Sequence, residues 1–584
     1  MGHGCYARSA REFASVFLGA FSDEFAAVCA LAHAVLLWGG WVRRSVCSVR
    51  RACAPLPAWI FGLGLGVALT ACTIGPEYLR EPAPVPVEYK ETKGWKVANP
   101  SDDIGRGDWW KVYRDHGLDT LLPQVEISNQ TVAAAAAAYE EARAIIRQAQ
   151  SSLFPVATAG YNATSTRTGS LANSGNSGAS SGSSGFGFGP SGTTYSTIYT
   201  APINGSWDLD VWGKVRRQIE SNTAAAQASA ADLDNAKLSA QAALATAYFN
   251  LRAADSLIDL LSRTIIEYKK NYTIVNNQFK AGFAVTAGDV ATADAQIATT
   301  QAQLLNTHVQ RAQFEHAIAV LIGRPPAELG IGPRLLGGGI PRTPVTLPST
   351  LLERRPDIAG AERTMQQQNA LIGAAEAAWF PDISVTAMLE YIGPVPLPFS
   401  LARSIANASA GATQTVFNGG LTSAQVDAAR AVYWQSVASY RQTVLTAFQQ
   451  VEDQLAAIHY LSLQLAQERR AVADQRKAVD VFLNQFQAGT VAFTTVVVAE
   501  IQLLADEEAE LTARQDLFVA SVSLIEALGG GWDSALLPTP VQLQKGFSFL
   551  PKFESQPSPD SPIPSDVLVP PPLSPPPAGG TAPQ

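Results

Sequence analysis

The sequence predicts a mainly α-helical protein with a smaller amount of membrane-type β-structure, arranged as an internal duplication. Two stretches, residues 214–281 and 421–488, contain neither glycine nor proline, and each is 68 residues long. Glycine and proline interrupt helices, so each stretch predicts one continuous helix of roughly 100 Å. A constant repeat offset and two segments of alternating polarity are the other observations that predict this fold class.

The two long helices belong to copies of one unit. A shift of 207 positions places Gly213 on Gly420 and Gly282 on Gly489, and the hexapeptides that end at the latter two glycines agree at five of six positions. A constant offset over such a length indicates duplication. The first copy also carries a Gly/Ser-rich insertion, residues 169–192, which predicts a flexible surface loop.

Alternating side chains predict a β-hairpin in each copy. In the second copy Ile383, Val385 and Leu389 alternate with mostly polar residues, which gives the strand one apolar face. The predicted hairpins span residues 155–209 and 381–418, and their strands of about ten residues have the length of transmembrane β-strands. A soluble hairpin with one solvated face explains the same alternation.

The N-terminus predicts export. An apolar run, residues 58–71, follows several arginines and ends in Leu-Thr-Ala before Cys72. This pattern describes a signal peptide, so residues 1–71 are the predicted signal-peptide region, with residues 1–42 interpreted as the product of an over-long gene model. The ending resembles the bacterial lipobox, which implies that Cys72 is the lipidated (palmitate-bearing) residue. Thr73 after it favours the outer membrane.

Composition excludes several function classes. All five cysteines lie at or before residue 72, which leaves no disulfide framework and no cysteine-based metal site in the mature chain. The net charge of −8, without a basic cluster, argues against nucleic acid as a partner. We find no nucleophile–base set, phosphate loop or metal cluster, so the sequence predicts no enzyme activity and no cofactor.

The length of the apolar runs predicts self-assembly. No apolar run after Cys72 is long enough for a transmembrane helix, so a membrane-crossing mature chain needs a β-barrel. Four strands cannot close a barrel, because the smallest barrels have about eight, and the chain must therefore associate with copies of itself.

The remaining domain boundaries follow from the repeat and from composition. The predicted domains are a lipidated N-terminal segment at residues 72–119, a first structural repeat at 120–345, a second structural repeat at 346–537, and a Pro-rich disordered tail at 538–584.

Four motifs carry a family resemblance across residues 74–537. They are Trp109-Trp110 with Leu118-Asp119, the Asp208–Arg217 segment containing Asp-Val-Trp-Gly, the Leu351–Ile358 segment containing Arg-Arg-Pro-Asp-Ile, and Phe417-Asn418-Gly419-Gly420. Together they resemble the outer-membrane efflux duct family, the TolC-like outer membrane factors, and within it the NodT/OprM-like lipoprotein branch.

The resemblance implies an architecture, a function and partners. It implies a homotrimer in which three times four strands form a 12-stranded transmembrane β-barrel. The long helices, with shorter ones near residues 121–152, 286–321, 357–379 and 491–528, form an α-helical barrel through the periplasm. Such a channel sits in the outer membrane, in contact with its lipid, and passively conducts drugs and other small solutes. A periplasmic adaptor (membrane fusion protein) and an inner-membrane pump, of the RND type, supply the substrate. Type I protein secretion, metal-ion efflux and a soluble periplasmic coiled-coil scaffold are the alternatives.

The glycine-bounded turns at the ends of the long helices are the predicted functional tips. The resemblance implies that the tips contact the adaptor and close the resting channel, through residues Gly282, Phe283, Gly489 and Thr490. Where the family often carries an aspartate, this chain has Val498. The gate candidates are therefore Val498, Thr494 and Asp289, and an apolar constriction is expected in place of a charged ring.

The Arg354-Arg355-Pro356-Asp357 block resembles an anion site. We interpret it as structural, with Asp357 capping a helix and the arginines pairing with nearby acids.

Overall fold

The computed structural model describes residues 73–82, 85–86, 89–90, 108–169, 193–282, 285–339, 353–395 and 404–544. The chain divides into two compact units. Of the described residues, the sheet unit contains 73–74, 152–169, 193–214, 377–395 and 404–420, and the helical unit contains the others. Among the described residues, none of the helices combines the length and the apolarity needed to span a bilayer.

The helical unit is dominated by two helices of 67 residues and two of 35. In chain order its helices are α1 (His116–Ser128), α2 (Gln130–Ser151), α3 (Lys214–Lys280), α4 (Ala287–Leu321), α5 (Pro356–Glu376), α6 (Leu421–Gln487), α7 (Phe493–Ala527) and α8 (Pro540–Leu543). Helices α3 and α6 confirm the two predicted long helices, and each ends one residue earlier than predicted. We call α3 with α4 the first helical hairpin, and α6 with α7 the second.

The duplication is visible in the backbone. The glycines that bound the long and short helices have positive φ at matching positions of both copies: Gly213 and Gly420 at 82° and 89°, Gly282 and Gly489 at 79° and 75°, Gly323 and Gly530 at 67° and 58°. Glycine reaches this left-handed region without steric penalty, which is why it stands where the chain leaves a helix.

The first helical segment differs from the prediction of one helix over residues 121–152. The structure contains two helices, because Asn129 separates them. Its side-chain Oδ1 accepts from the backbone N–H groups of Thr131 and Val132, at 2.9 and 3.1 Å. These two bonds pair N–H groups at the start of α2 that would otherwise have no partner within the helix.

The two largest apolar clusters of the helical unit join helices that are distant in sequence. The larger core joins α1, α3, α7 and the 3₁₀ turn Trp109–Tyr113; in it the rings of Phe249 and Phe518 stack with their centroids 4.7 Å apart. Beside them the hydroxyl groups of Tyr113 and Ser521 are hydrogen-bonded at 2.9 Å. A second core joins α5, α6 and the end of α7.

The sheet unit forms one antiparallel sheet in the order β1-β3-β4-β5, with β2 also paired to β3. The strands are β1 (Val156–Ala159), β2 (Asn162–Gly169), β3 (Thr193–Leu209), β4 (Asp382–Gly393) and β5 (Ser404–Thr413). The last strand thus ends at Thr413, five residues before the predicted end of the second hairpin.

Strands β1 and β2 are one edge strand with a local interruption. Both keep a single register against β3, since Ala159 faces Ile203 and Asn162 faces Thr200. The interruption lies opposite Pro202, which has no N–H to donate, and only the bond from Gly160 N–H to the Pro202 carbonyl remains, at 2.9 Å. The predicted four strands are therefore present.

Candidate functional site

The sheet has two chemically different faces. Paired residues of an antiparallel ladder share a face, and the pairs Leu209–Ile383, Trp207–Val385 and Ile203–Leu389 place large apolar side chains together. On β5 this face carries four alanines, Ala406, Ala408, Ala410 and Ala412. The result is a broad apolar surface.

The opposite face is mostly polar. The pairs Asp208–Ser384, Ser206–Thr386 and Asn204–Met388 lie there, and the hydroxyl groups of Thr386 and Ser409 are 2.8 Å apart. This face also holds Pro202, Glu390 and Ile405. Such a division into one apolar and one polar face is suited to a boundary between a lipid-like medium and an aqueous one.

Aromatic rings lie at both ends of the apolar face. Tyr161 and Tyr199 stack at one end with ring centroids 6.3 Å apart, and Tyr391 lies beside them on β4. At the other end the indole N–H of Trp207 donates to the Leu153 carbonyl at 3.0 Å. Such aromatic bands are typical of the two interfaces of a membrane.

The two predicted tips lie against each other in the helical unit. The ends of α3 and α6 and the beginnings of α4 and α7 share an apolar cluster. Its buried members are Val275, Ala293, Phe486, Phe493, Val496 and Val497. Each tip is thus a reversal between two helices, as predicted, and the two reversals are joined by apolar packing.

The tip residues themselves are exposed. Gly282 and Gly489 each donate a backbone hydrogen bond to the last helical turn, to the carbonyls of Phe279 and Phe486, at 3.1 and 2.9 Å. Thr490 closes the second turn through its N–H and hydroxyl groups, which both donate to the carbonyl of residue 485 at 2.9 Å. Phe283 and the predicted lipidation site Cys72 lie outside the described residues.

The two tip glycines make a stability prediction. A Cβ atom at Gly282 or Gly489 meets no atom within 4 Å, so only the positive φ opposes Gly→Ala, and a loss of about 1–2 kcal/mol in the free energy of unfolding is expected for each. Gly→Asn at either position should lower the free energy of unfolding by less, because asparagine adopts positive φ more readily than alanine does. Gly288→Ala, within α4, is the control, and it should be neutral or stabilising. Chemical denaturation followed by circular dichroism measures the free energy of unfolding of each variant. Equal losses for Gly282→Ala and Gly288→Ala would contradict a cost that comes from positive φ.

The gate candidates have different surroundings. Asp289 belongs to a capping box at the start of α4: its Oδ2 accepts from the N–H and the hydroxyl of Thr286, both at 2.8 Å. Helix α7 begins after Ala492, which makes no side-chain cap bond. Thr494 and Val498 lie one turn apart on the exposed face of α7, where Val498 is 66% exposed.

Arg355 has the structural role that the sequence indicates. It is buried, and its guanidinium donates to both carboxylate oxygens of Asp357, at 3.0 and 2.6 Å. It also donates to Gln450 Oε1 at 2.9 Å and to the carbonyl of Ala527, the last residue of α7, at 3.0 Å. The arginine therefore caps the C-terminal end of α7 and pairs with an acid.

Asp357 lies one position further into its helix than a cap requires. Helix α5 begins at Pro356, so Asp357 is its second residue, and the prediction that it caps the helix is wrong in position. Proline favours the first position of a helix, and an acid in the first turn interacts favourably with the helix dipole. With Gln450 and Glu526, both residues of this pair line a polar cavity of about 390 Å³.

Two acids on α7 escaped the sequence interpretation. Glu500 and Glu508 face the first helical hairpin, where Asn271 of α3 and Gln303 of α4 bond to them. The available signal was local: Glu500 is the one charged residue in the mostly apolar segment 496–505. Among the described residues, no group of three or more His, Cys, Asp or Glu side chains could hold a metal ion.

A duplicated pair of very long helical hairpins, combined with a four-stranded sheet of membrane type, defines a class of outer-membrane channel subunit. A sequence profile of the outer membrane efflux protein family matches residues 121–324 and 347–530, and the chain belongs to this family. The predicted family, fold class and outer-membrane, periplasmic location are thereby confirmed.

Relatives and a solved structure agree with this membership. The chain is similar to the cation efflux system protein CusC of Escherichia coli O6:H1, 28% identical over 487 residues that cover 82% of this chain and 99% of that protein. The probable efflux pump outer membrane protein TtgC of Pseudomonas putida is 28% identical over 480 residues, 80% of this chain and 95% of that protein. The outer-membrane channel OprN has a TM-score of 0.69 at 27% identity, covering 79% of this chain and 100% of that one.

Proposed function

We propose that three copies of this chain form the outer-membrane duct of a tripartite efflux system. The observation that carries the proposal is the sheet. It has one apolar face, and within the described residues its two edge strands, β1/β2 and β5, pair with a strand on one side only. Unpaired edges of a membrane sheet must be closed by another chain, because lipid offers no hydrogen bonds. Three chains supply twelve strands.

The duct conducts solutes passively from a periplasmic adaptor and an inner-membrane pump to the exterior. The proposal includes an RND-type pump, a lipid anchor at Cys72, and adaptor contacts at Gly282, Phe283, Gly489 and Thr490. Long helices, about 100 Å at 67 residues, support a periplasmic conduit that reaches towards the inner membrane. In this scheme the chain breaks no bond in its cargo.

The test is reconstitution of the full-length protein into planar bilayers. Trimers that resist dissociation in detergent and that carry steady ion currents are expected. A monomer that dissolves without detergent once its acyl chains are removed, and that carries no current, would refute the duct and favour a soluble scaffold.

Small organic solutes and metal ions are both candidate cargo. The relatives indicate both, since CusC is a cation efflux system protein and TtgC a probable efflux pump outer membrane protein. We propose organic solutes as the main cargo. Expression with its partner pump and adaptor in a strain lacking its own duct discriminates the two: restored resistance to organic toxicants alone supports the proposal, and restored resistance to metal salts alone supports cation efflux.

We further propose that Val498 and Thr494 line an apolar closure of the duct. Both are exposed on one face of α7 beside the tip, while the opposite face holds the buried Val496 and Val497. Val498→Asp in each of three copies would place three carboxylates at one level, which changes the conductance and introduces block by divalent cations. Val498→Thr, which keeps the size and adds no charge, is the control. Wild-type currents from Val498→Asp would exclude a gate at this residue.

A further inference from the structure

Helix α7 is held to its own hairpin by charge pairs. Arg469 of α6 donates to Glu510 at 3.1 Å, and Arg476 of α6 forms an ion pair with Glu507. In both contacts an acid of α7 meets a cation. On the side of α7 that faces α6, the carboxyl groups therefore have cationic partners.

The side of α7 that faces the first helical hairpin is different. There Glu500 accepts from the amide of Asn271, and Glu508 accepts from the amide of Gln303 at 2.6 Å. Tyr268, one turn before Asn271 on α3, donates its hydroxyl to the Glu500 backbone carbonyl at 3.3 Å. The two hairpins are thus joined by carboxyl groups whose partners are neutral.

Burial governs the protonation of these two acids. Loss of water raises the pKa of Glu500 to about 7; the Asn271 hydrogen bond opposes this rise, and the like charge of Glu267 adds to it. Burial also raises the pKa of Glu508, against the opposing effect of its bond to Gln303.

Among the residues that the structure describes, the other groups packed around Glu500 supply no counter-charge. From α3 it faces Glu267, Tyr268 and Asn271, and Tyr268 in turn interacts with Gln296 of α4 and with Glu507. From α6, Gln475 donates to the carbonyl of the neighbouring Ala499 at 3.0 Å. Arg476 is engaged by Glu507. These neighbours are neutral, acidic or already paired.

We propose that Glu500, assisted by Glu508, is a proton-sensitive latch between the two helical hairpins beside the tips. When its carboxyl group is neutral, it bonds to Asn271 without a desolvation penalty and holds α7 against α3. When the group ionises, the buried charge lacks a cation, and the contact between the hairpins weakens.

The pH dependence of the contact between the two hairpins follows from the raised pKa of Glu500. A carboxyl group that binds its proton more tightly in the packed state stabilises that state fully below its ordinary pKa, and this stabilisation is lost as the pH rises through the packed-state value near 7. The hairpins are therefore held most firmly in acid and are released most readily at neutral to alkaline pH. Because the latch adjoins the tips, acid surroundings favour the closed duct; only this consequence rests on the proposed function.

Hydrogen–deuterium exchange of the purified full-length protein tests the latch. After correction for intrinsic exchange, protection of residues 493–508 should fall as the pH rises from about 4.5 to about 7, and it should stay level at higher pH. Glu500→Gln, which keeps the acceptor for Asn271 and carries no charge, should hold the acid level of protection throughout. Glu510→Gln, on the arginine-paired side, should keep the wild-type profile.

Two results would overturn the latch: flat protection in the wild type, or an unchanged pH profile in Glu500→Gln. If Glu500→Gln fails to fold, the pH dependence of protection in the wild-type protein tests the latch alone. Bilayer currents over the same pH range separate the latch from the duct. If exchange depends on pH but no current is seen at any pH, the latch is retained and the proposed channel function is refuted. If currents are steady but exchange does not depend on pH, the channel function is retained and the latch is refuted.

Discussion

Replacement of Asp255 by alanine is expected to lower the free energy of unfolding of the helical unit by about 3–5 kcal/mol. The side chain of Asp255 is 2% exposed and accepts from two guanidinium groups, those of Arg252 at 2.9 Å and Arg311 at 2.6 Å. It also accepts from the backbone N–H of Arg334 at 2.9 Å. Its removal leaves two largely buried cations without this acid.

The same change should release the chain segment that follows α4. Arg252 donates to the carbonyl of Gly332 at 2.8 Å, and Arg311 donates to that of Ile331 at 2.6 Å. Both arginines also donate to Asp255. Removal of the acid should therefore weaken their hold on the segment around residues 331 and 332. Increased proteolysis within residues 329–336, measured beside the shift of the unfolding midpoint, identifies this local effect.

Asp259→Ala is the matched control for Asp255→Ala. It lies four residues further along α3 and pairs with Arg263 at 2.9 Å, yet both side chains are largely exposed, at 42% and 66%. Exposed pairs at this spacing contribute only about 0.3–0.5 kcal/mol. A loss at Asp255 no larger than that at Asp259 would show that the buried network contributes nothing beyond a surface pair.

Arg355→Ala is expected to have the second largest effect, a loss of about 3 kcal/mol or more. The change removes both bonds to the Asp357 carboxylate, the bond to Gln450 and the cap on the Ala527 carbonyl. Arg355→Lys keeps the charge and loses the planar fork, so it should recover only part of the stability. Chemical denaturation of the detergent-solubilised protein measures both variants.

Arg430→Ala is the control for this position. Arg430 is 55% exposed and pairs with Glu376 at 2.8 Å, so the loss should stay below about 1 kcal/mol. Wild-type stability of Arg355→Lys would mean that the charge alone stabilises the protein at this position. A loss for Arg355→Ala equal to that for Arg430→Ala would show that the cap on α7 contributes no stability.

Much of the helical architecture was predictable because its signals are local. Helix breakers marked the ends of α3 and α6 to within one residue, and the 207-residue offset located the second copy from the first. The break at Asn129 was not predicted, since asparagine caps a helix only where the chain has already turned. The interruption opposite Pro202 depends in the same way on the pairing of β3 with its neighbour.

The candidate site was predictable only in part. The tips followed from the glycines, and Val498 was compared with a family pattern, whereas the partners of the acids were not visible in the sequence. Glu500 and Asn271 are 229 positions apart, and Arg355 and Ala527 are 172 positions apart. The capping box of Asp289 joins residues only three apart, and it gives this gate candidate a local structural role.

The sequence by itself determined the lengths of the two long helices, the repeat and the alternation of the strands, because helix breaking and side-chain period act over a few neighbouring residues. Only the tertiary structure decided which acid of α7 meets a cation and which meets an amide. That choice depends on how two hairpins distant in sequence pack together, and the same packing removes the water that would otherwise keep every carboxylate ionised.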